Sequence, residues 1–203
     1  MQRFVCEQNI VHFERLLDRT ADPAVERTVR ALLASARRQL ALLSSAAAGA
    51  DTTPLEQRHR RHIGAVAIRR QFQAEFDASP HPYMLLDPGP GLSILDINAA
   101  YAAAISMARI DLVGRSLFEM FPDNPDDPLA DGVSNLYASL KAVADTGRAD
   151  AMKLQRHDIR DEGGVFVERY WQAINAPIHD AAGHLIYLLH HVERVAAAGV
   201  ELR

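Results

Sequence analysis

Apolar positions change their rhythm once along this chain, near residue 76. Before that point they recur every three or four residues. Ile10, Phe13 and Leu17 share one face of a short helix that ends near Thr20. Asp22-Pro23 then supplies an N-cap followed by proline at the first helical position, a restart signal. Val25, Val29, Leu32, Ala36, Leu40 and Leu43 give the next helix a single apolar stripe. The short turn between the two predicts an antiparallel hairpin. Its stripe is narrow for an independent core, so it is expected to pack on another part of the chain or on its own copy. Ser44 to Thr53, rich in Ala, Ser, Gly and Thr, reads as a helix end and a linker. Thr53-Pro54-Leu55-Glu56 combines a capping box with proline, and the helix it opens runs to about Phe76.

From Ser79 the period shortens. Tyr83 to Asp87 and Leu92 to Asp96 read as strands joined by the turn Pro88-Gly89-Pro90-Gly91. Asn98 is placed to cap a helix beginning at Ala99. Asp127-Pro128 opens a longer helix with Leu129, Val133, Leu136, Leu140 and Val143 on its buried face, closed by Gly147. Three strands follow, at about 149–160, 165–179 and 184–195, with Gly163-Gly164 and Ala182-Gly183 at the turns. Two strands, a run of helices, then three strands predict an α+β fold on an antiparallel sheet. The organisation expected is a helical hairpin over 1–50, a linker or dimerisation helix over 51–76, and one domain over 77–203.

Composition removes several classes. Of 203 residues, 48% are hydrophobic and 24% charged, which is globular and excludes wholesale disorder. No run approaches the roughly 20 apolar residues of a membrane span, and charges at Arg3, Glu7, Glu14 and Arg15 interrupt any secretory leader. A cytoplasmic protein with no membrane partner is expected. One cysteine, Cys6, excludes an internal disulfide and a multi-cysteine zinc site. The net charge of −4 is unevenly spread: residues 1–77 carry 12 Lys and Arg against 9 Asp and Glu, so all the acidic excess lies beyond. Arg58-His59-Arg60-Arg61-His62 is a basic cluster, but the acidic chain and the lack of interleaved aromatics argue against nucleic acid as a partner.

Enzyme chemistry finds no support. Pro88-Gly89-Pro90-Gly91 joins two strands and precedes no helix, so it is no phosphate loop. The stretch Asp123-Asn124-Pro125-Asp126-Asp127-Pro128 departs from a calcium loop in length and in its prolines, and reads as a capped loop. His157-Asp158 and His179-Asp180 are sequence neighbours on strands, which sends their side chains to opposite faces.

The order of these signals resembles the PAS domain, a sensory module of bacterial signalling proteins, over residues 76–195. The residues that carry it are Phe76-x-x-Ser79-Pro80, then Leu95-Asp96-Ile97-Asn98-Ala99-Ala100-Tyr101, then Asp111-Leu112-Val113-Gly114-Arg115. Tyr170-Trp171, Asn175-x-Pro177-Ile178 and Asp180-x-x-Gly183 complete the pattern. The resemblance implies a five-stranded antiparallel sheet cradling a small-molecule pocket under short helices, with the 54–76 helix over the sheet's outer face. In the family's register Trp171, Ala173 and Asn175 point inward, and alternation adds Ile186, Leu188, His190 and Val192. Leu136 and Leu140 are expected to form the opposite wall.

Within that pocket, His190 and Trp171 are the groups with chemistry. A histidine facing an apolar pocket can ligate haem iron, bond a ligand or respond to pH; it can equally be a core histidine bonded to Asn175. The indole of Trp171 is either core filling or a ligand donor. The cofactor stays open. Flavin-adduct photochemistry is disfavoured because Gly114-Arg115-Ser116-Leu117-Phe118 holds no cysteine and Cys6 lies outside the domain. Haem would need an unusual ligand such as His190 or His157, since residues 128–147 contain no histidine. No kinase, cyclase or DNA-reading segment follows the pattern. The expectation is a homodimer through the N-terminal helices that regulates a separate signalling protein, such as a histidine kinase or regulator. A haem-based gas or redox sensor, the input module of a histidine kinase and a DNA-associated regulator remain alternatives.

Overall fold

The computed structural model describes residues 1–53, 55–161 and 163–196, and of 55–64 the backbone alone. Two helices, α1 (Gln2–Leu17) and α2 (Pro23–Ala48), pack together as a hairpin. Asp22 caps α2 by accepting the Ala24 N–H at 2.8 Å. The small-residue stretch that reads as a linker is instead part of the packed structure. Helix α2 ends within it at Ala48, as the helix-end reading expects, but the residues are packed rather than loose: Ser44, Ser45 and Ala50 are buried. The Ala50 and Asp51 N–H groups each donate to the Pro88 carbonyl at 2.9 Å, and the Gly91 N–H donates to the Ser45 carbonyl at 2.8 Å. Small side chains are what permit this backbone-to-backbone approach.

Helix α3 (Leu55–Ala78) follows, then strands β1 (Tyr83–Leu86) and β2 (Ile94–Ile97). Three short helices come next: α4 (Ala99–Ile105), α5 (Arg109–Leu112) and α6 (Leu117–Met120). Asn98 caps α4 through the Tyr101 N–H at 2.9 Å and also accepts the Tyr83 N–H at 3.0 Å. Its amide donates to the carbonyls of Phe76, Ser79 and His81, which gathers the end of α3 and the start of β1 around one buried side chain.

Helix α7 (Gly132–Thr146) begins four residues later than Asp127-Pro128 predicts, and Leu129 is exposed. Asn124 and Asp127 bond their own backbone two residues on, to the Asp126 and Leu129 N–H groups, and these local turns compete with helix. Gly147 closes α7 in the left-handed region, as predicted. Strands β3 (Asp150–Ala151), β4 (Gln155–Arg156), β5 (Ile159–Arg160), β6 (Phe166–Val167), β7 (Tyr170–His179) and β8 (Leu185–Val195) complete the chain.

The main sheet is antiparallel in the order β2-β1-β8-β7-β3, with β4 also on β7. The strand expected over 149–160 is broken because it carries one residue too many. Ala151 lies opposite Ile174 and Gln155 opposite Trp171, four steps against three. The sheet's inner face packs beneath α4 to α7, with Met84, Leu86, Leu140 and Leu188 fully buried. Its outer face is covered by α3: Phe72 and Phe76 pack with Tyr187, Tyr83 and Leu85, and the Tyr187 hydroxyl donates to the Ala65 carbonyl at 2.8 Å.

Helix α3 is also tied down by charge. Asp96 on β2 is fully buried, and its carboxylate receives Arg69 from α3 and Arg109 from α5, the latter at 2.5 Å. The hairpin reaches the inner-face side instead, where α2 packs on α7.

Gly49 sets how closely the hairpin approaches the sheet. Its φ is +70°, and a Cβ there would lie 2.0 Å from the Gly89 carbonyl oxygen. Gly49→Ala is expected to lower stability by about 2–4 kcal/mol through strain and overlap, read as a drop in urea midpoint at unchanged m-value. Gly164→Ala, also at positive φ but with open space around it, is expected to cost less than half as much.

Candidate ligand cavity

Between the sheet's inner face and helices α4 to α7 lies a cavity of about 70 Å³. Its wall is mainly apolar: Met84, Ile105, Phe118, Phe121, Val133 and Leu136 surround it, with Trp171, Ala173 and Val192 from the sheet. The predicted pocket residues divide into three groups. Trp171, His190, Val192 and Leu136 line the space. Asn175, Leu188 and Leu140 are fully buried in the same core, behind the lining. Ile186 lies on the opposite side of the sheet, in the cluster under α3. A bulge explains it: Tyr187 pairs with Ile178 and Leu185 with His179, so Ile186 is the extra residue and turns outward.

His190 is the only imidazole of the last strand that faces inward. Its Nδ1 lies 2.7 Å from Asn175 Oδ1. An amide oxygen accepts, so Nδ1 carries the proton and donates. The Asn175 amide in turn donates to the Ser139 hydroxyl at 2.7 Å, and that hydroxyl donates to the Asp150 carboxylate at the sheet edge. This chain fixes the His190 tautomer and leaves the Nε2 lone pair as an acceptor on the cavity side. Burial pushes the imidazole down to about 3, with the His191 and His157 charges adding to it, so the ring is neutral at physiological pH.

The indole of Trp171 is spoken for. Its Nε1 donates to the His157 carbonyl at 2.9 Å, so it is not free to serve a ligand. The cavity as packed is also far smaller than the ~300–1,000 Å³ that drug-sized ligands occupy. Neither a haem nor a flavin fits it without repacking of the wall, although His190 presents the right atom for a metal. Cys6 is buried on α1, away from the lining residues. The side chains of the basic cluster Arg58 to His62 lie outside the described residues.

Sequence reasoning missed Asp123, which it placed in a capped loop. Asp123 is buried, and Arg38 of α2 donates to its Oδ2 at 2.6 Å while also reaching the Ala130 carbonyl at 2.6 Å. The other oxygen accepts the Val133 N–H at 2.9 Å, starting α7, and lies 3.5 Å from His157 Nδ1. His157 and Val133 both line the cavity. One carboxylate therefore joins the cavity wall to the N-terminal hairpin. Asp96 likewise carries a role, as receptor for two arginines, that the sequence motif around it does not announce.

A family model described as PAS fold matches residues 76–198. A variant of RsLOV is similar at TM-score 0.52 and 14% identity, covering 66% of this chain and 72% of that one. The Rhodobacter sphaeroides LOV protein is similar at TM-score 0.51 and 14% identity, over 66% and 70%. At these identities the likeness is one of fold. No curated protein matches. Among the described residues no helix is long and apolar enough to cross a membrane.

Asp123 yields a pH signature. Burial works to raise its carboxyl, but hydrogen bonds from His157, the Val133 N–H and Arg38 outweigh that and hold it below the usual carboxylate range. The unfolded chain then binds the proton more readily. The stability this carboxylate contributes is full above a pH of about 4 and is lost as pH falls through its lowered folded value. Asp123→Asn is expected to cost about 2 kcal/mol at pH 7 and to flatten the acid limb of a stability–pH curve measured by urea unfolding. An acid limb identical to that of the unaltered protein contradicts this assignment.

Proposed function

Because the chain belongs to the PAS-fold family, we propose that it is a sensory signal-transduction protein whose core cavity takes up a small, mainly apolar molecule. We further propose that its N-terminal helices carry the bound state to a separate signalling partner. The observation that carries this reading is the cavity itself. A mainly apolar wall, with Tyr101, Gln155 and His157 among its lining residues, holds a neutral acceptor, His190 Nε2, whose tautomer is fixed by Asn175. Such a site favours a compact molecule with a single hydrogen-bond donor over one of equal size without it. The size of the cavity supports a ligand of a few heavy atoms, smaller than either cofactor. The Arg38–Asp123–His157 contacts support a route outward, since they span the cavity wall and α2.

2-Propanol and isobutane, close in size and differing in the donor, test the site. 2-Propanol is expected to bind about fivefold more tightly than isobutane once each affinity is referred to the same unbound state in a saturable assay, the worth of roughly one hydrogen bond. The preference should vanish in His190→Leu, and both ligands should fail in Leu136→Trp, which fills the space. Equal affinity for the two ligands in the unaltered protein removes the proposed role of His190; no binding of either removes the cavity reading.

The hairpin supports self-association as the output geometry. Phe4 and Val11 on α1, and Val25 and Leu32 on α2, are exposed apolar residues. In each helix the two are seven residues apart and so lie on one stripe. A second copy of the chain presents the same stripe. Light scattering at micromolar concentration is expected to give a dimer, and Leu32→Glu a monomer. A monomer before substitution overturns the dimer.

A further inference from the structure

On the outer side of the sheet, away from the cavity, His81, His191 and Glu193 bring three metal-binding atoms within 4.8 Å of one another. His191 and Glu193 are two residues apart on β8, so their side chains leave the same face. His81 stands just before β1, where Tyr83 pairs with His191. One carboxylate oxygen, Glu193 Oε1, lies 3.4 Å from His191 Nε2 and 4.0 Å from His81 Nδ1.

A second observation makes this more than a cluster of polar side chains. His191 Nδ1 lies 3.1 Å from the Pro82 carbonyl oxygen. A carbonyl only accepts, so Nδ1 carries the proton and Nε2 is left with its lone pair directed toward Glu193 and His81. This is the arrangement in which a backbone carbonyl holds a ligating imidazole in one tautomer and one orientation. The His191 ring is further held by Tyr83, with ring centroids 5.2 Å apart, and His191 is largely buried while His81 and Glu193 are exposed. One ligand is therefore preorganised and two are free to close on an ion.

We propose that His81, His191 and Glu193 form a binding site for a divalent transition-metal ion of the zinc class, completed by solvent. Two imidazole nitrogens and one carboxylate oxygen suit that class better than calcium or magnesium, which take oxygen donors. Bond lengths of about 2.0–2.2 Å in a tetrahedral site place ligand atoms roughly 3.3 Å apart. The 3.4 Å pair already meets this, and the 4.0 Å pair needs only a small rotation of the exposed His81. The ion ties the segment between α3 and β1 to the last strand of the sheet. Its site is separate from the cavity, so it stands or falls independently of the ligand reading.

The test uses the full chain, stripped with a chelator and titrated with Zn²⁺ by calorimetry, with Co²⁺ as a spectroscopic substitute. One saturable equivalent is expected, with the visible absorption of four-coordinate cobalt. His81→Ala, Glu193→Gln and His191→Ala are each expected to weaken binding by roughly tenfold or more, while His184→Ala, at the distant β7–β8 turn, leaves it unchanged. His81 and Glu193 are exposed, so those two variants carry the test even if His191→Ala loses stability without metal. Absence of saturable binding overturns the site. So does affinity retained in both exposed variants, or affinity lost in His184→Ala.

Discussion

Two buried aspartates hold this molecule together across its most divided boundary. Asp96 receives Arg69 from α3 and Arg109 from α5; Asp123 receives Arg38 from α2. Each carboxylate is nearly or wholly shielded from water, and the arginines beside them offset the heavy cost of burying the charge. The uneven charge of the chain, basic before residue 77 and acidic beyond it, resolves into the Arg69–Asp96 and Arg38–Asp123 contacts, while Arg109 meets Asp96 from within the acidic part. A sheet with two apolar faces needs cover on both sides. The arginines decide which helix covers which: Arg69 seats α3 on the outer face, and Arg38 seats α2 beside α7.

The regular parts of this architecture were legible in the sequence. Asp22-Pro23 marked the start of α2, Asn98 capped α4, Gly147 closed α7, the family's register placed Trp171 and Ala173 on the inner face, and alternation placed His190 and Val192 there. Alternation failed where the strand count slipped. Ile186 is a bulge residue, and no local signal in Leu185-Ile186-Tyr187-Leu188 distinguishes it from its neighbours, since all four are good strand formers. The 149–160 strand broke for the same reason, one extra residue opposite β7.

Other misses were tertiary. Asp123 is locally one acid in a loop full of them; only the approach of Arg38, 85 residues away in sequence, and of the first turn of α7 makes it a buried anchor. Ser139 and Asp150 belong to the His190 hydrogen-bond chain without any pattern that links them to it beforehand. The small-residue stretch 44–53 has the composition of a linker, yet Ser44, Ser45, Gly49 and Ala50 within it are as buried as core residues. Composition reports what a segment permits, and here small side chains permitted either free chain or close approach; the facing glycines and carbonyls of the β1–β2 turn decided it.

That close approach gives α2 the mechanics of a lever. With 26 residues the helix is about 39 Å long, and it is pivoted at Gly49, where two backbones meet with no side chain between them. Arg38 grips Asp123 roughly 16 Å along from the pivot. By simple proportion, a displacement of about 1 Å in the Asp123 carboxylate would arrive at the Pro23 end of the helix as roughly 2–3 Å. On the proposed route outward, a pivot without compliant side chains would pass such a movement on to the α1–α2 hairpin rather than absorb it, against the hold of α7 on α2.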